Sequence, residues 1–210
     1  MCVWFSICLL GIVASVPLHF ISVEHLKLQE KFGKSKGTKI AEVYGLVSGW
    51  GFFSFWFGIW VSPQPRFSVP ILNDISIQII DFSIPLLHLI ISILLIIPGA
   101  WFGIKGVEGT TLKVAETHRT EKIVISGVYS KVRHPQYLGG LLSHLGMTFL
   151  FSASYSLVST PLIIGLVYLI SRKEEIELIR EFGKEYEDYQ KSVPMLIPRW
   201  TKLPEHCQRG

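Results

Sequence analysis

Three cysteines in 210 residues are too few to staple a fold, and no Cys-x-x-Cys or His-x-x-x-His pair offers metal-ligand spacing. A small disulfide scaffold and a zinc module are both excluded by that scarcity. Charge is thin as well: Asp, Glu, Lys and Arg make up 17% of the chain, against about 25% in ordinary soluble domains. The balance of 20 Lys+Arg to 16 Asp+Glu leaves a net charge of +4 and builds no basic arm, so nucleic acid is not an expected partner. No Gly-rich turn of the Gly-x-Gly-x-x-Gly kind occurs either, which removes the soluble nucleotide-binding fold built on it.

What the chain has instead is apolar length. Its mean hydropathy is +0.42, and the apolar residues come in blocks near the ~20 residues that a bilayer core requires. Val3 to about Ile21, Tyr44–Val61 and Ser83–Ile104 are the first three such blocks, followed by Tyr137–Ala153 and Tyr155–Ser171. The last two are joined by almost nothing and predict a transmembrane helical hairpin. The stretch Phe67–Phe82, interrupted by Asn73, Asp74 and Asp81, is too polar to span and is assigned to the interface. Gly99 and Gly103 are spaced for close helix packing. The expected fold is therefore an all-α integral membrane protein of about five transmembrane helices, with a C-terminal amphipathic helix. Residues 1–210 form one membrane domain, with three spans in 1–104 and a polar loop, the hairpin and the last helix in 105–210.

The lysines orient it. Lys27, Lys31, Lys34, Lys36 and Lys39 separate spans one and two; Lys105, Lys113, Arg119, Lys122, Lys131 and Arg133 separate three and four. The loop from Ser62 to Phe82 has only Arg66. By the positive-inside rule the N-terminus lies outside, and the second long loop and the tail lie on the cytoplasmic face.

Two polar clusters flank the predicted hairpin: Gly127 to Gly139, with Arg133-His134-Pro135-Gln136-Tyr137 at its centre, and Arg172-Lys173-Glu174-Glu175. A hairpin returns to its starting face, so the clusters should be neighbours. Pro135 suits the first turn of a helix. The free amides of that turn favour an anion, while Glu174 and Glu175 favour an ammonium. An amino-acid zwitterion carries both groups. The same residues also suit interfacial anchors and the start of a solvated helix. His19, His88 and His144 fall inside spans, as functional groups or as polar links between helices. Ile176, Ile179, Phe182, Tyr186 and Tyr189 form a stripe assigned to packing.

Taken together, Ile123-Val124, Gly127-Val128-Tyr129, Arg133-His134-Pro135 with Tyr137 and Gly139, Glu174-Glu175, Phe182-Gly183-Lys184-Glu185-Tyr186 with Tyr189, Val193-Pro194 and Ile197-Pro198 run in order through about the last 90 residues. This series resembles the isoprenylcysteine carboxyl methyltransferase and phospholipid methyltransferase superfamily. The resemblance implies S-adenosylmethionine as cofactor, a lipid or prenylated substrate drawn from the bilayer, and no metal. It makes 105–210 the cofactor-binding part. Carried over, Glu121, Lys122, Ile123, Val124, Tyr129, His134, Pro135, Gln136, Tyr137 and Glu174 would contact the cofactor, with Glu174 on the methionine amino group. Arg133 and Glu175 are the candidate catalytic residues. Carboxyl methyltransferases similar to this chain have an arginine four positions before the first glutamate, where Ile170 stands here. The nearest arginine, Arg172, is the candidate for the substrate. The implied reaction is O-methylation of an isoprenylcysteine-type carboxylate, with phospholipid N-methylation second. An NADPH-dependent sterol-type reductase, whose C-terminal half is related, is a more distant alternative.

Overall fold

A computed structural model of the protein describes residues 2–70, 75–79, 82–110 and 122–198. The first apolar block forms α1 (Val3–Val23). It breaks at Glu24, whose φ of −77° and ψ of 36° leave the helical region and start a short helix, α2 (His25–Phe32). Gly33, at a φ of 81° that favours glycine, reverses the chain into α3 (Lys34–Val61). This helix begins well before the expected start at Tyr44, so the lysines of the first loop ride on a helix. After α3 come two short antiparallel strands, β1 (Ser76–Ile79) and β2 (Phe82–Pro85), with Ile77 opposite Ile84. They correct the all-helical expectation. In an apolar setting, a polar connecting stretch satisfies its backbone groups by pairing with itself.

The C-terminal half follows as α4 (Leu86–Thr110), a 3₁₀ turn at Gly127–Ser130, α5 (Pro135–Leu150), α6 (Ser154–Phe182) and α7 (Lys184–Ser192). Pro135 takes the first position of α5. Phe151–Ala153 joins α5 to α6, and Ser152 adopts a φ of 51° there while its hydroxyl meets His88 Nδ1 at 2.8 Å. The cluster Arg172–Glu175 does not follow a helix, as expected, but lies inside α6. That helix stops at Gly183, with a φ of 58°.

Among the described residues three helices, α1, α4 and α6, are long and apolar enough to cross a membrane. Of the two other expected spans, α3 is diluted by Gly, Ser and Trp, and α5 has 16 residues, short of the ~20 a spanning helix needs. α1 packs along α3 and α4 along α5, while α6 touches α1, α3 and α5. Large apolar residues such as Leu10, Leu94, Ile97 and Val158 face outward. Ser48, Ser92, His144, Thr148 and Ser156 are buried. Between helices in lipid, small and polar residues supply the packing and hydrogen bonds that apolar side chains cannot. His144 shows this. Its Nδ1 accepts from the indoles of Trp56 and Trp60 at 2.9 and 3.0 Å, and its Nε2 meets Thr160 Oγ1 at 3.1 Å.

α4 and α5 approach each other closely. A Cβ at Gly139 would fall 2.6 Å from both the Gly103 nitrogen and the Gly99 carbonyl oxygen, whereas one at Gly103 meets nothing within 4 Å. Thus Gly139 and Gly99 make the contact, and Gly103 contributes backbone only. Gly139→Ala should lower stability by about 1–3 kcal/mol through overpacking. Gly103→Ala should be neutral or stabilising by up to about 1 kcal/mol from helix propensity. Thermal unfolding of both variants in detergent checks the contrast; equal losses would refute it.

Candidate active site

α5 and α6 bring the two polar clusters together at one end of the molecule. His134 caps α5, and its ring lies between the adjacent glutamates of α6, with Nδ1 3.4 Å from Glu174 Oε2 and Nε2 3.3 Å from Glu175 Oε1. Tyr137, a turn into α5, stacks on His134 with ring centroids 5.6 Å apart. Its hydroxyl donates to Glu174 Oε1 at 2.5 Å.

Glu175 is fully buried, at 0% side-chain exposure. Arg133 Nε donates to its Oε1 at 2.6 Å and Gln190 Nε2 to its Oε2 at 2.9 Å. The Arg133 guanidinium also donates to the carbonyl oxygens of Gln190 and Val193 at the end of α7. It thereby satisfies acceptors a helix C-terminus leaves open and places a cation where the helix dipole favours one. The backbone amides of Arg133 and His134 donate to the carbonyls of Pro194 and Met195 at 2.9 and 3.1 Å. Arg133 and Glu175 are thus committed mainly to one another and to the C-terminal segment.

Glu174 differs. Its side chain is 13% exposed and lines a cleft together with Lys122, Ile123, Val124, Tyr129, Arg133, His134, Pro135, Gln136 and Tyr137. The cleft is open to solvent. One wall is the positive end of α5. Tyr129 fixes another: its hydroxyl donates to the Gly106 carbonyl of α4 at 3.0 Å, and its own carbonyl accepts from Tyr189 at 2.7 Å. Burial pushes the Tyr129 phenol upward, so it stays a neutral donor. Tyr186, Tyr189 and Val193 pack with Ile123, Ile179 and Phe182 as a small core beneath the site. This matches the packing role expected for most of the stripe, although Ile176 is exposed.

Of the residues expected to hold a cofactor, Glu121 lies outside the described residues and the others line this cleft. Arg172 does not: it is half exposed, with NH1 3.6 Å from Glu175 Oε2. The cleft also takes Val23, His25, Thr110, Glu177, Leu178, Glu181, Tyr186 and Tyr189, which the sequence reading did not select. Part of this set was legible, because Glu174, Glu177, Leu178 and Glu181 follow helical spacing on one face of α6. His19 of α1 was also missed. Its Nε2 lies 3.0 Å from Glu174 Oε1. The set matches an amino-acid zwitterion carrying a nucleoside: Glu174 for the ammonium, the start of α5 for the carboxylate, and Ile123, Val124 and Leu178 as apolar surface.

Comparison with known proteins bears on the same half of the chain. The family described as phospholipid methyltransferase matches residues 87–185, from the start of α4 to the start of α7. The C-terminal half is therefore similar to integral-membrane methyltransferases. Protein-S-isoprenylcysteine O-methyltransferase of Mus musculus is 36% identical over 93 residues, covering 40% of this chain and 30% of its own length. Methanethiol S-methyltransferase 2 of Bradyrhizobium diazoefficiens is 38% identical over 77 residues, covering 34% of this chain and 27% of its own. Delta(14)-sterol reductase of Mus musculus is 32% identical over 92 residues, covering 41% of this chain and 21% of its own. The chain thus spans at most 30% of the length of these relatives. No solved structure matches it.

Burial pulls the His134 imidazole pKa down, but its hydrogen bonds to Glu174 and Glu175 and their negative charges outweigh this and hold it above the ordinary histidine value. A histidine whose folded pKa is raised stabilises fully below its unfolded pKa of about 6.5 and loses that contribution as pH rises through the folded value. Stability should therefore decline as pH is raised above about 6.5. The His134→Asn variant should lack this component. Detergent melts of both proteins across that range test it, and identical slopes would refute it.

Proposed function

We propose that the protein is an S-adenosylmethionine-dependent methyltransferase acting on a lipophilic substrate at the membrane boundary. One observation carries the reading: the Glu174 carboxylate opens on the same cleft as the positive start of α5, with apolar side chains between. The relatives' names support methyl transfer as the reaction. In this reading Glu174 holds the methionine ammonium, and Pro135, Gln136 and Tyr137 receive the carboxylate end. Lys122, Ile123, Val124, Tyr129 and His134 enclose the remainder, with Glu121 just before them in sequence. When bound, S-adenosylmethionine supplies an electrophilic methyl group.

The protein's task is then mainly alignment, since in-line displacement depends chiefly on holding donor and acceptor in register. Arg133 and Glu175 serve it by positioning: they fix the His134 ring and the end of α7 and leave Glu174 to face the cleft. The acceptor we favour is an isoprenylcysteine-type carboxylate, as the mouse relative's name suggests. Arg172 stands off the cleft, so it would meet such a carboxylate only at the mouth. A phospholipid amine is the second reading, favoured by the family description and by Ile170 in place of an arginine. An amine acceptor must first lose a proton to a base. The lysine distribution supports an outside N-terminus and a cleft on the cytoplasmic face, entered by lipid from the bilayer.

Calorimetry of detergent-purified protein tests the reading. S-adenosylmethionine should bind, and Glu174→Gln should weaken it by about 2 kcal/mol, roughly 30-fold in Kd, the worth of a charge-assisted hydrogen bond. Binding of NADPH instead would move the protein to the reductase branch that the sterol reductase match represents.

A further inference from the structure

The segment that matches the methyltransferase family begins at residue 87, yet the carboxylate at the centre of the cleft is held in part from α1. His19 is buried, and its Nε2 lies 3.0 Å from Glu174 Oε1. Tyr137 donates to the same oxygen at 2.5 Å, and His134 approaches the other at 3.4 Å. Three groups from α1, α5 and the α5 cap therefore converge on one glutamate. Tyr137 and His134 both belong to the start of α5, so they hold the Glu174 side chain from that element alone. His19 restrains it from another element. A second contact keeps that element in place: Lys173, next to Glu174, donates to Glu24 where α1 ends.

We propose that His19 is a positioning residue of the cofactor site, acting through Glu174 to aim its carboxylate at the ammonium of an amino-acid ligand. The proposal rests on the cofactor reading above. With Nε2 3.0 Å from Oε1, the imidazole limits the positions open to that carboxylate oxygen and so favours the rotamer in which the side chain faces the cleft. A long carboxylate side chain loses rotamer freedom when it binds a cation. Holding it beforehand reduces that cost and tightens binding without a new contact to the ligand. His19 then differs from a histidine that merely links two helices, because its effect is confined to ligands that carry the amino group.

Two probes separate these roles. S-adenosylhomocysteine carries the amino-acid end; 5′-methylthioadenosine has the same nucleoside and thioether without it. His19→Ala should weaken binding of S-adenosylhomocysteine by about 10-fold, the scale of one hydrogen bond to a charged group. It should leave 5′-methylthioadenosine unchanged, which also shows that the cleft is intact. His19→Gln, which keeps an N–H at a similar reach, should recover most of the loss. Adding His19→Ala to Glu174→Gln should cost little further, because both act on one contact. Equal weakening of both probes by His19→Ala, no effect on either, or full additivity with Glu174→Gln would overturn the proposal. A wild-type protein that binds neither probe would overturn the cofactor reading together with it.

Discussion

A carboxylate with no exposed surface is the constraint around which this end of the molecule is organised. Ionised and unpaired, Glu175 would cost several kcal/mol in the low-dielectric interior. The chain avoids that cost by bringing partners from separate segments: Arg133 and His134 from the start of α5, and Gln190 from α7. Each partner does a second job. Arg133 closes the carbonyl end of α7, His134 caps α5 and reaches Glu174, and Gln190 presents its backbone carbonyl to Arg133. Satisfying one buried charge therefore fixes the relative placement of α5, α6 and α7. Replacing a buried ion pair by apolar residues conserves stability in other proteins, but here it would release the geometry of the cleft.

Adjacent glutamates on a helix point about 100° apart, and this separation gives the two residues different work. Glu175 turns into the helix junction and has both oxygens engaged. Glu174 turns toward the cleft and stays partly open. A pair of carboxylates that looks redundant in sequence is thus divided into a buried anchor and a group that faces the cleft. The raised pKa of His134 belongs to this arrangement, since a proton on the ring between them offsets their mutual repulsion.

Much of the site was legible because it is local. Arg133-His134-Pro135 announces a helix start through its proline, and Glu174-Glu175 stands at the opposite end of a pair of apolar blocks joined by a minimal turn. That they meet follows from chain geometry. What sequence did not give was the division of labour within each cluster. Arg133 and Glu175 carry chemistry-bearing side chains, so they drew catalytic expectations; packing buries Glu175 away from the cleft, while Arg133 lines the cleft and spends its guanidinium on Glu175 and the end of α7. Arg172 is half exposed and does not line the cleft. The β1–β2 pair escaped because its alternation is short and broken by polar residues. His19 escaped for a different reason: a histidine in an apolar helix has no local feature that reveals a partner 155 positions away.

The matched half of the chain does not complete the cleft by itself. Val23 and His25 from the α1–α2 junction line its edge, and His25 Nε2 lies 3.5 Å from Glu181. Lys173 bridges Glu24 and Glu177 across the same seam. The matched segment accordingly covers most of the cleft lining but not this edge. If the matched half holds the donor, as proposed, the α1–α2 junction is the unmatched surface beside the cleft from which acceptors can be distinguished, because it lines the cleft edge while α1 turns large apolar side chains such as Leu10 outward.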